Sequence, residues 1–231
     1  VQALVLAPTR ELAVQIQEEL RDLCEFKEGV RSVCLYGGAP IDGQIKTLKK
    51  NPQIVVATPG RLMDHMKRRT VKLDGVQTVV LDEADRMLDM GFVRDVTRIL
   101  DQIKNRRNLG MFSATISREV MDISWVYQRD PVEITVRPDE ENRPDIQQYR
   151  IDLEGRGDKV DTMAALLTHG SYERAIAFCN TKNMTDRLSG LLNMRGFTAQ
   201  AIHGDIQQRI REKTLQKFKD GKLRVLVATD V

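Results

Sequence analysis

The feature that most constrains the fold is a regular alternation along the chain. Short apolar runs rich in Val, Leu and Ile alternate with longer segments in which apolar residues recur every three or four positions. The short runs are typical of strands that are buried on both faces of a parallel sheet. The longer segments are typical of amphipathic helices that cover such a sheet. The alternation therefore predicts βαβ units and an α/β fold.

The alternation is interrupted once, at residues 137–144, by a polar segment with a proline near each end. Such a segment is typical of a linker, and 231 residues are enough for two small domains. We predict an N-terminal domain at 1–136, a linker at 137–146 and a C-terminal domain at 147–231. The predicted strands cover residues 3–7, 32–36, 54–57, 78–81, 109–112, 132–136, 147–153, 174–178, 198–202 and 223–228. The predicted helices cover residues 11–23, 93–103, 119–126, 159–167, 184–194 and 208–218.

The overall composition excludes several classes of protein but identifies no partner. The 36 Lys and Arg residues nearly balance the 33 Asp and Glu residues, so any nucleic-acid surface must come from local placement of charge. No apolar run approaches the roughly 20 residues of a membrane span, and the N-terminus does not resemble a signal peptide. The three scattered cysteines argue against a disulfide framework or a zinc site. We expect a soluble, cytoplasmic protein.

Adjacent carboxylates follow one of the predicted strands. Asp82, Glu83 and Asp85 come directly after the apolar run at 78–81. In open α/β sheets, ligands bind at the carboxyl ends of the strands. Carboxylates placed there can hold the water shell of Mg²⁺ and activate a water for attack on a phosphoryl group. Acidic residues are also common in the first turn of a helix, where they interact favourably with its dipole, so this motif alone leaves both interpretations open.

Seven short motifs occur in a fixed order along the chain. They are Pro8-Thr9-Arg10-Glu11-Leu12-Ala13, Gly37-Gly38, Thr58-Pro59-Gly60-Arg61, Asp82-Glu83-Ala84-Asp85, Ser113-Ala114-Thr115, His203-Gly204-Asp205 with Gln208 and Arg211, and Ala228-Thr229-Asp230. With these motifs the chain resembles the DEAD-box family of ATP-dependent RNA helicases over essentially its whole length. The resemblance implies two RecA-like domains with mostly parallel sheets flanked by helices, the first truncated at its start and the second at its end.

The resemblance implies ATP and Mg²⁺ as cofactors and gives the carboxylates separate roles. Asp82 would hold Mg²⁺ through water, and Glu83 would orient or deprotonate the attacking water. Asp85 would pair with Ser113 and Thr115, which would couple the nucleotide site to RNA unwinding. Taken alone, the two hydroxyl residues would be ordinary caps at a strand end, but their place in this order of motifs favours coupling.

The resemblance assigns the other motifs of the first domain to RNA. Backbone N–H groups at helix N-termini bind phosphate, and glycine lets the backbone approach closely. Arg10 and Arg61 can add charge-assisted contacts, while Pro59 is equally a helix-initiation residue. A helix at about 60–68 would bend the bound strand and so disfavour a duplex. The RNA-binding candidates are Pro8, Thr9, Arg10, Gly37, Gly38, Thr58, Pro59, Gly60 and Arg61.

Further RNA contacts are implied in the second domain. They would go to phosphates and ribose 2′-hydroxyls of single-stranded or locally duplex RNA, so little sequence preference is expected. An exposed helix face is the alternative for Gln208 and Arg211, which are three residues apart. The candidates are Asn180, Thr181, Gly204, Asp205, Gln208, Arg211 and Thr229.

Two features of the family are not found in these 231 residues. No segment matches the phosphate-loop pattern G-x-x-x-x-G-K-[ST], and the arginine-rich motif that supplies the arginine finger is missing. Because the chain also begins and ends beside predicted core strands, we expect a piece of a longer protein. An arginine finger alone contributes about 10³–10⁵ in rate. The 231-residue polypeptide is therefore expected to lack useful ATPase and unwinding activity.

Three functions remain to be distinguished. The favoured one is an ATP-dependent RNA helicase that unwinds locally and non-processively as a cleft between the two domains closes and reopens. A nucleotide-independent RNA-binding or clamp-forming scaffold is the second. A DNA helicase of the same superfamily is the third, and the motifs at 8–13, 58–61 and 113–115 together favour RNA over it.

Overall fold

The computed structural model describes residues 1–136, 146–153, 158–170 and 172–229. The chain divides after Val136 into two compact units. The predicted linker at 137–146 lies outside the described residues except for Ile146 and stays a prediction. No helix in the described part of the chain is long and apolar enough to cross a bilayer.

The first unit is built on a five-stranded parallel sheet in the order β2-β3-β1-β4-β5. Its strands are β1 (Ala3–Leu6), β2 (Ser32–Leu35), β3 (Ile54–Ala57), β4 (Thr78–Leu81) and β5 (Asn108–Met111). Its helices are α1 (Arg10–Leu23), α2 (Ile41–Leu48), α3 (Pro59–Lys67), α4 (Ala84–Met87), α5 (Val93–Gln102) and α6 (Arg118–Tyr127). Val55 and Val56 are neighbours on β3 and are both fully buried, in two different apolar clusters, as expected for a sheet covered on both faces.

The second unit has a three-stranded parallel sheet in the order β6-β8-β7. Its strands are β6 (Ala175–Cys179), β7 (Ala199–Ile202) and β8 (Val225–Thr229), and its helices are α7 (Asp158–His169), α8 (Lys182–Met194) and α9 (Gln208–Lys219). Val225 and Val227 of the central strand β8 are fully buried beside Leu192 of α8. The two parallel sheets confirm the predicted α/β class.

Two of the ten predicted strands are wrong. Residues 132–136 and 147–153 form no strand. Val132, Ile134 and Val136 alternate as a strand should, yet each is more than four-fifths exposed. Because β propensity mainly reflects packing against neighbouring strands, an alternating pattern without a paired neighbour does not form a strand. The predictions also missed α2, whose first residue follows Pro40 and which contains Gly43.

Candidate functional site

The predicted motifs of the first unit lie at one edge of its sheet. Each follows the carboxyl end of a strand, and these ends meet at the same edge because all five strands are parallel. The motifs after β2, β3 and β1 carry arginine and glycine, whereas those after β4 and β5 carry carboxylates and hydroxyls. The strand order therefore divides this edge into two neighbouring halves, one suited to phosphate backbone and the other to a metal-bound nucleotide.

Glu83 occupies an unusual backbone conformation in the carboxylate half. Its φ of +46° and ψ of +53° place it in the left-handed region, directly before the short helix α4. Non-glycine residues adopt this region rarely, and such strain is concentrated at functional sites. The Asp82 Oδ1 atom accepts a hydrogen bond from the Glu83 N–H at 3.0 Å. Both carboxylates are half-buried and follow the end of β4 directly.

Asp85 and Thr115 are brought together across 30 residues of sequence. The Asp85 Oδ2 atom accepts hydrogen bonds from the Thr115 N–H at 2.8 Å and from the Thr115 hydroxyl at 2.7 Å. The Ser113 hydroxyl accepts the Asp85 N–H at 3.2 Å and donates to the Thr115 carbonyl at 2.7 Å. Burial raises the pKa of Asp85, but the hydrogen bonds from Thr115 and its neighbours outweigh it and hold this pKa below its usual value. These contacts join the segments after β4 and β5, while the coupling role stays a prediction.

In the arginine and glycine half, both arginines contact the same loop, which follows β2. The Arg61 Nη1 atom donates to the Ala39 carbonyl at 2.9 Å. The Arg10 guanidinium lies against Gly37 and Gly38, where a Cβ on Gly38 would overlap Arg10 Nη1. Gly38 also has a φ of +86°. Three of the predicted RNA motifs therefore meet around the turn that follows β2.

The helix starts in this half are capped in different ways. The Thr9 hydroxyl accepts the Leu12 N–H at 3.3 Å and caps α1. Thr58 precedes α3 without a side-chain cap, and Pro59 is its first residue. Pro8, Thr58 and Pro59 are buried while Gly60 is exposed. Thr9 and Pro59 thus have ordinary structural uses beside their predicted contact with RNA.

Replacing Gly38 by Ala is expected to cost about 1–2 kcal/mol, because an L-residue in the left-handed region carries that penalty. The added methyl would also push the Arg10 guanidinium from its place. Gly37→Ala is the matched control, since a Cβ there would lie 3.6 Å from Arg10, an ordinary contact. Chemical denaturation of the two variants checks this expectation, and equal losses of stability would contradict it.

The predicted residues of the second unit also gather at the carboxyl edge of its sheet. Asn180 and Thr181 follow β6, Gly204 and Asp205 follow β7, and Thr229 ends β8. The first four are exposed, and the Thr181 hydroxyl caps α8 by accepting the Met184 N–H at 3.2 Å. Asp230 lies outside the described residues.

Sequence reasoning missed the partner of Asp205. The Lys182 Nζ atom lies 2.6 Å from Asp205 Oδ1, and this hydrogen bond lowers the pKa of the carboxyl group. Both residues follow strands of the same parallel sheet, which is the signal that could have paired them. The ion pair leaves Asp205 charged beside a cation at the edge predicted to contact RNA.

Gln208 and Arg211 do not lie on an exposed helix face, so that alternative is wrong. Their side chains are only 8% and 7% exposed, and Arg211 Nη1 lies 3.5 Å from Gln208 Oε1. The i, i+3 spacing defines a helix face but does not show whether that face is covered. Their contact with RNA stays a prediction, and in this structure the two side chains are buried.

Two buried polar residues behind the glycine turn were also missed. His65 of α3 is fully buried and Gln44 of α2 is 7% exposed. The His65 Nε2 atom lies 3.0 Å from Gln44 Oε1, and Gln44 Nε2 donates to the Tyr36 carbonyl at 2.9 Å. At the other end, His65 Nδ1 lies 2.8 Å from the Thr70 hydroxyl. The only sequence signal was His65 itself, a polar residue four positions after Arg61 on the predicted helix.

The pKa of His65 is held below its usual value. Burial is the main cause, the charges of Arg61 and Arg68 act in the same direction, and Asp64 opposes them. The folded state therefore binds fewer protons than the unfolded state between the lowered pKa and the unfolded value of about 6.5. Stability contributed by this histidine is fully present above that window and is lost as the pH falls through it.

We expect the thermal midpoint of the wild-type protein to fall more between pH 7.5 and pH 5.5 than that of His65→Phe, because phenylalanine does not titrate. Thermal melts of both proteins at the two pH values, in the same salt, provide the measurement. Equal decreases would show that His65 does not contribute to the pH dependence of stability.

Both units match families of known proteins. Residues 1–123 match the DEAD/DEAH box helicase model, and residues 158–231 match the helicase conserved C-terminal domain. The ATP-dependent RNA helicase CshA of Listeria monocytogenes is 47% identical over all 231 residues, which cover 44% of that relative. The CshA protein of Bacillus subtilis is 45% identical, and 46% of its length is covered. The chain thus spans less than half the length of these relatives.

Solved structures give the same result. The structure of yeast (S. cerevisiae) Dbp5 bound to RNA and ADP BeF3 is similar to this chain with a TM-score of 0.82 and 29% sequence identity. The match covers 99% of this chain and 57% of the Dbp5 chain. A DEAD box protein from the hyperthermophile Methanococcus jannaschii is similar with a TM-score of 0.57 and 40% sequence identity. That match covers the whole of this chain and 61% of the other protein's chain. These matches confirm the predicted RecA-like fold. The chain belongs to the DEAD/DEAH box helicase family.

Proposed function

We propose that this chain forms part of an ATP-dependent RNA helicase that separates short duplexes locally. The observation that carries the proposal is the contact of Asp85 with Thr115. It joins the carboxylate motif after β4 to the hydroxyl motif after β5, so a change at the nucleotide can alter a neighbouring strand end. The relatives named as ATP-dependent RNA helicases and the RNA-bound neighbour support the same function.

In the carboxylate half, Glu83 is the proposed catalytic residue. Its carboxylate would orient the attacking water and accept its proton, while Asp82 would hold Mg²⁺ through water. Bound Mg²⁺ supplies charge neutralisation of the phosphates. Mg²⁺ prefers oxygen ligands and keeps several waters, so one carboxylate together with waters and the phosphates would suffice to hold it.

In the other half, the turn at Gly37 and Gly38 and the start of α3 would take the RNA backbone. Glycine allows close approach, and the N-terminus of α3 presents N–H groups suited to phosphate. Arg61 uses one donor on the Ala39 carbonyl, and a guanidinium has five, so it can hold this loop and contact phosphate together. Recognition of backbone rather than bases predicts low sequence preference.

The test is the ATPase activity of the complete reading frame that encodes this chain. ATP hydrolysis is expected to rise when single-stranded RNA is added, and DNA of the same sequence is expected to stimulate much less. Equal stimulation by DNA would favour the DNA helicase. RNA binding without stimulated hydrolysis would favour the RNA-binding scaffold.

The polypeptide of 231 residues alone is a separate case. It contains no phosphate-loop sequence, and that loop supplies most of the backbone cradle for the phosphates. We expect it to hydrolyse ATP no faster with RNA than without. Robust RNA-stimulated hydrolysis by this polypeptide would contradict the expectation.

A further inference from the structure

We propose that His65 and Gln44 are positioning residues for RNA binding, acting through a buried hydrogen-bond relay from α3 to the glycine turn. The relay is defined as Thr70, His65, Gln44 and the Tyr36 carbonyl. It rests on the proposed function, because it assigns these residues to the RNA-facing half of the same sheet edge. Neither His65 nor Gln44 is exposed enough to touch RNA, so any effect they have must pass through the backbone they hold.

The direction of each hydrogen bond in the relay follows from chemistry. Gln44 Nε2 donates to the Tyr36 carbonyl, so Gln44 Oε1 is the acceptor for His65. His65 Nε2 must then carry the proton. The Thr70 hydroxyl has two acceptors within reach, His65 Nδ1 at 2.8 Å and the His65 carbonyl at 3.2 Å, and Nδ1 is the nearer. Burial favours this neutral imidazole by lowering the pKa of His65. The relay is thus a continuous run of donors and acceptors in which each group has a partner.

The relay ends at the segment that carries the RNA motif. Tyr36 directly precedes Gly37 and Gly38, and Ala39 directly follows them. Helix α3 holds both ends of this turn, through Arg61 on the Ala39 carbonyl and through the relay on the Tyr36 carbonyl. The turn and the N-terminus of α3 are therefore fixed relative to each other before RNA arrives.

Fixing these two parts in advance reduces what binding costs. A loop that is already ordered loses less conformational entropy when a ligand binds, which raises affinity without a new contact. The net free energy of one such hydrogen bond corresponds to a change in affinity of about threefold to tenfold. Loss of the relay should weaken RNA binding and leave the chemistry at Glu83 untouched.

The experiment measures RNA-stimulated ATP hydrolysis by the complete protein with Gln44→Leu, with His65→Phe and with both. Each single variant is expected to raise the RNA concentration for half-maximal stimulation about threefold to tenfold, with kcat at saturating RNA unchanged. The double variant is expected to be no worse than the worse single variant, because the two residues act in one relay. Gln44→Glu keeps an acceptor for His65 but replaces the amide donor to the Tyr36 carbonyl by a carboxylate oxygen, which repels that carbonyl, so it should show at least the same defect.

The control is Val96→Ala, a fully buried position on α5 outside the relay. It is expected to lower the melting temperature without changing the RNA concentration for half-maximal stimulation. If Val96→Ala shifts that concentration as much as the relay variants do at equal loss of stability, the relay has only a structural role. The proposal is also overturned if kcat falls instead, or if the two single effects add in the double variant.

Failure of the proposed function would look different. In that case the wild-type protein itself shows no stimulation by RNA. Stimulated wild type with unshifted Gln44→Leu, Gln44→Glu and His65→Phe variants would leave the helicase function standing and reject the relay alone.

Discussion

Replacing Glu83 by Gln is expected to slow ATP hydrolysis by the complete protein about 10²–10⁴-fold, the range typical for loss of a general base. Glutamine has nearly the same shape and keeps a hydrogen-bonding oxygen, but its amide cannot accept the proton of the attacking water. ATP binding should survive, because it depends on contacts to phosphate and base rather than on this carboxylate. Steady-state hydrolysis and binding of a fluorescent ATP analogue measure the two effects separately.

The substitution at Glu83 is chosen to preserve the backbone, and it needs a matched variant at another carboxylate. The left-handed backbone at Glu83 is unfavourable for glutamate and glutamine alike, so the isosteric change leaves the backbone strain nearly unchanged. Glu119→Gln is the matched variant, since Glu119 is an exposed carboxylate in the first turn of α6. It should hydrolyse ATP at the wild-type rate. Retention of full activity by Glu83→Gln would remove this residue from the catalytic role.

The sheets were predictable because their sequence signal is local. The bounds of β3 and β4 match the prediction at both ends, since a run such as 54–57 is apolar at every position and ends at a loop motif. The failure at 132–136 has the opposite cause. That segment has the strand pattern, but a strand also needs a paired neighbour, and pairing is a property of the whole sheet rather than of the segment.

The site was predictable in its residues but not in its contacts. Proximity of Asp85 to Thr115 follows only once β4 and β5 are known to be neighbours, which no local pattern reveals and which the resemblance alone supplied. The sequence did not predict the burial of Arg211 or the relay through His65, for the same reason. Periodicity shows that a residue is on a helix, but what covers that face of the helix is decided by elements distant in sequence.

Replacing Leu62 by Ala is expected to destabilise the first unit by about 2–5 kcal/mol, the range for removing a buried leucine side chain from a core. Leu62 is fully buried, with no solvent-accessible surface. It lies on α3 directly after Arg61. The loss combines the lost burial of apolar surface with the cavity left behind.

Leu23→Ala removes the same atoms from the end of α1, where the side chain is 77% exposed. Its effect should stay within about 0.5 kcal/mol, as for most surface changes. Urea denaturation of the two variants beside the wild type gives both values. Because the N-terminus of α3 is proposed to contact RNA, Leu62→Ala should also raise the RNA concentration for half-maximal stimulation. Equal losses in the two leucine variants would mean that α3 is not held by this core, and the fixed geometry inferred for its N-terminus would lose its physical basis.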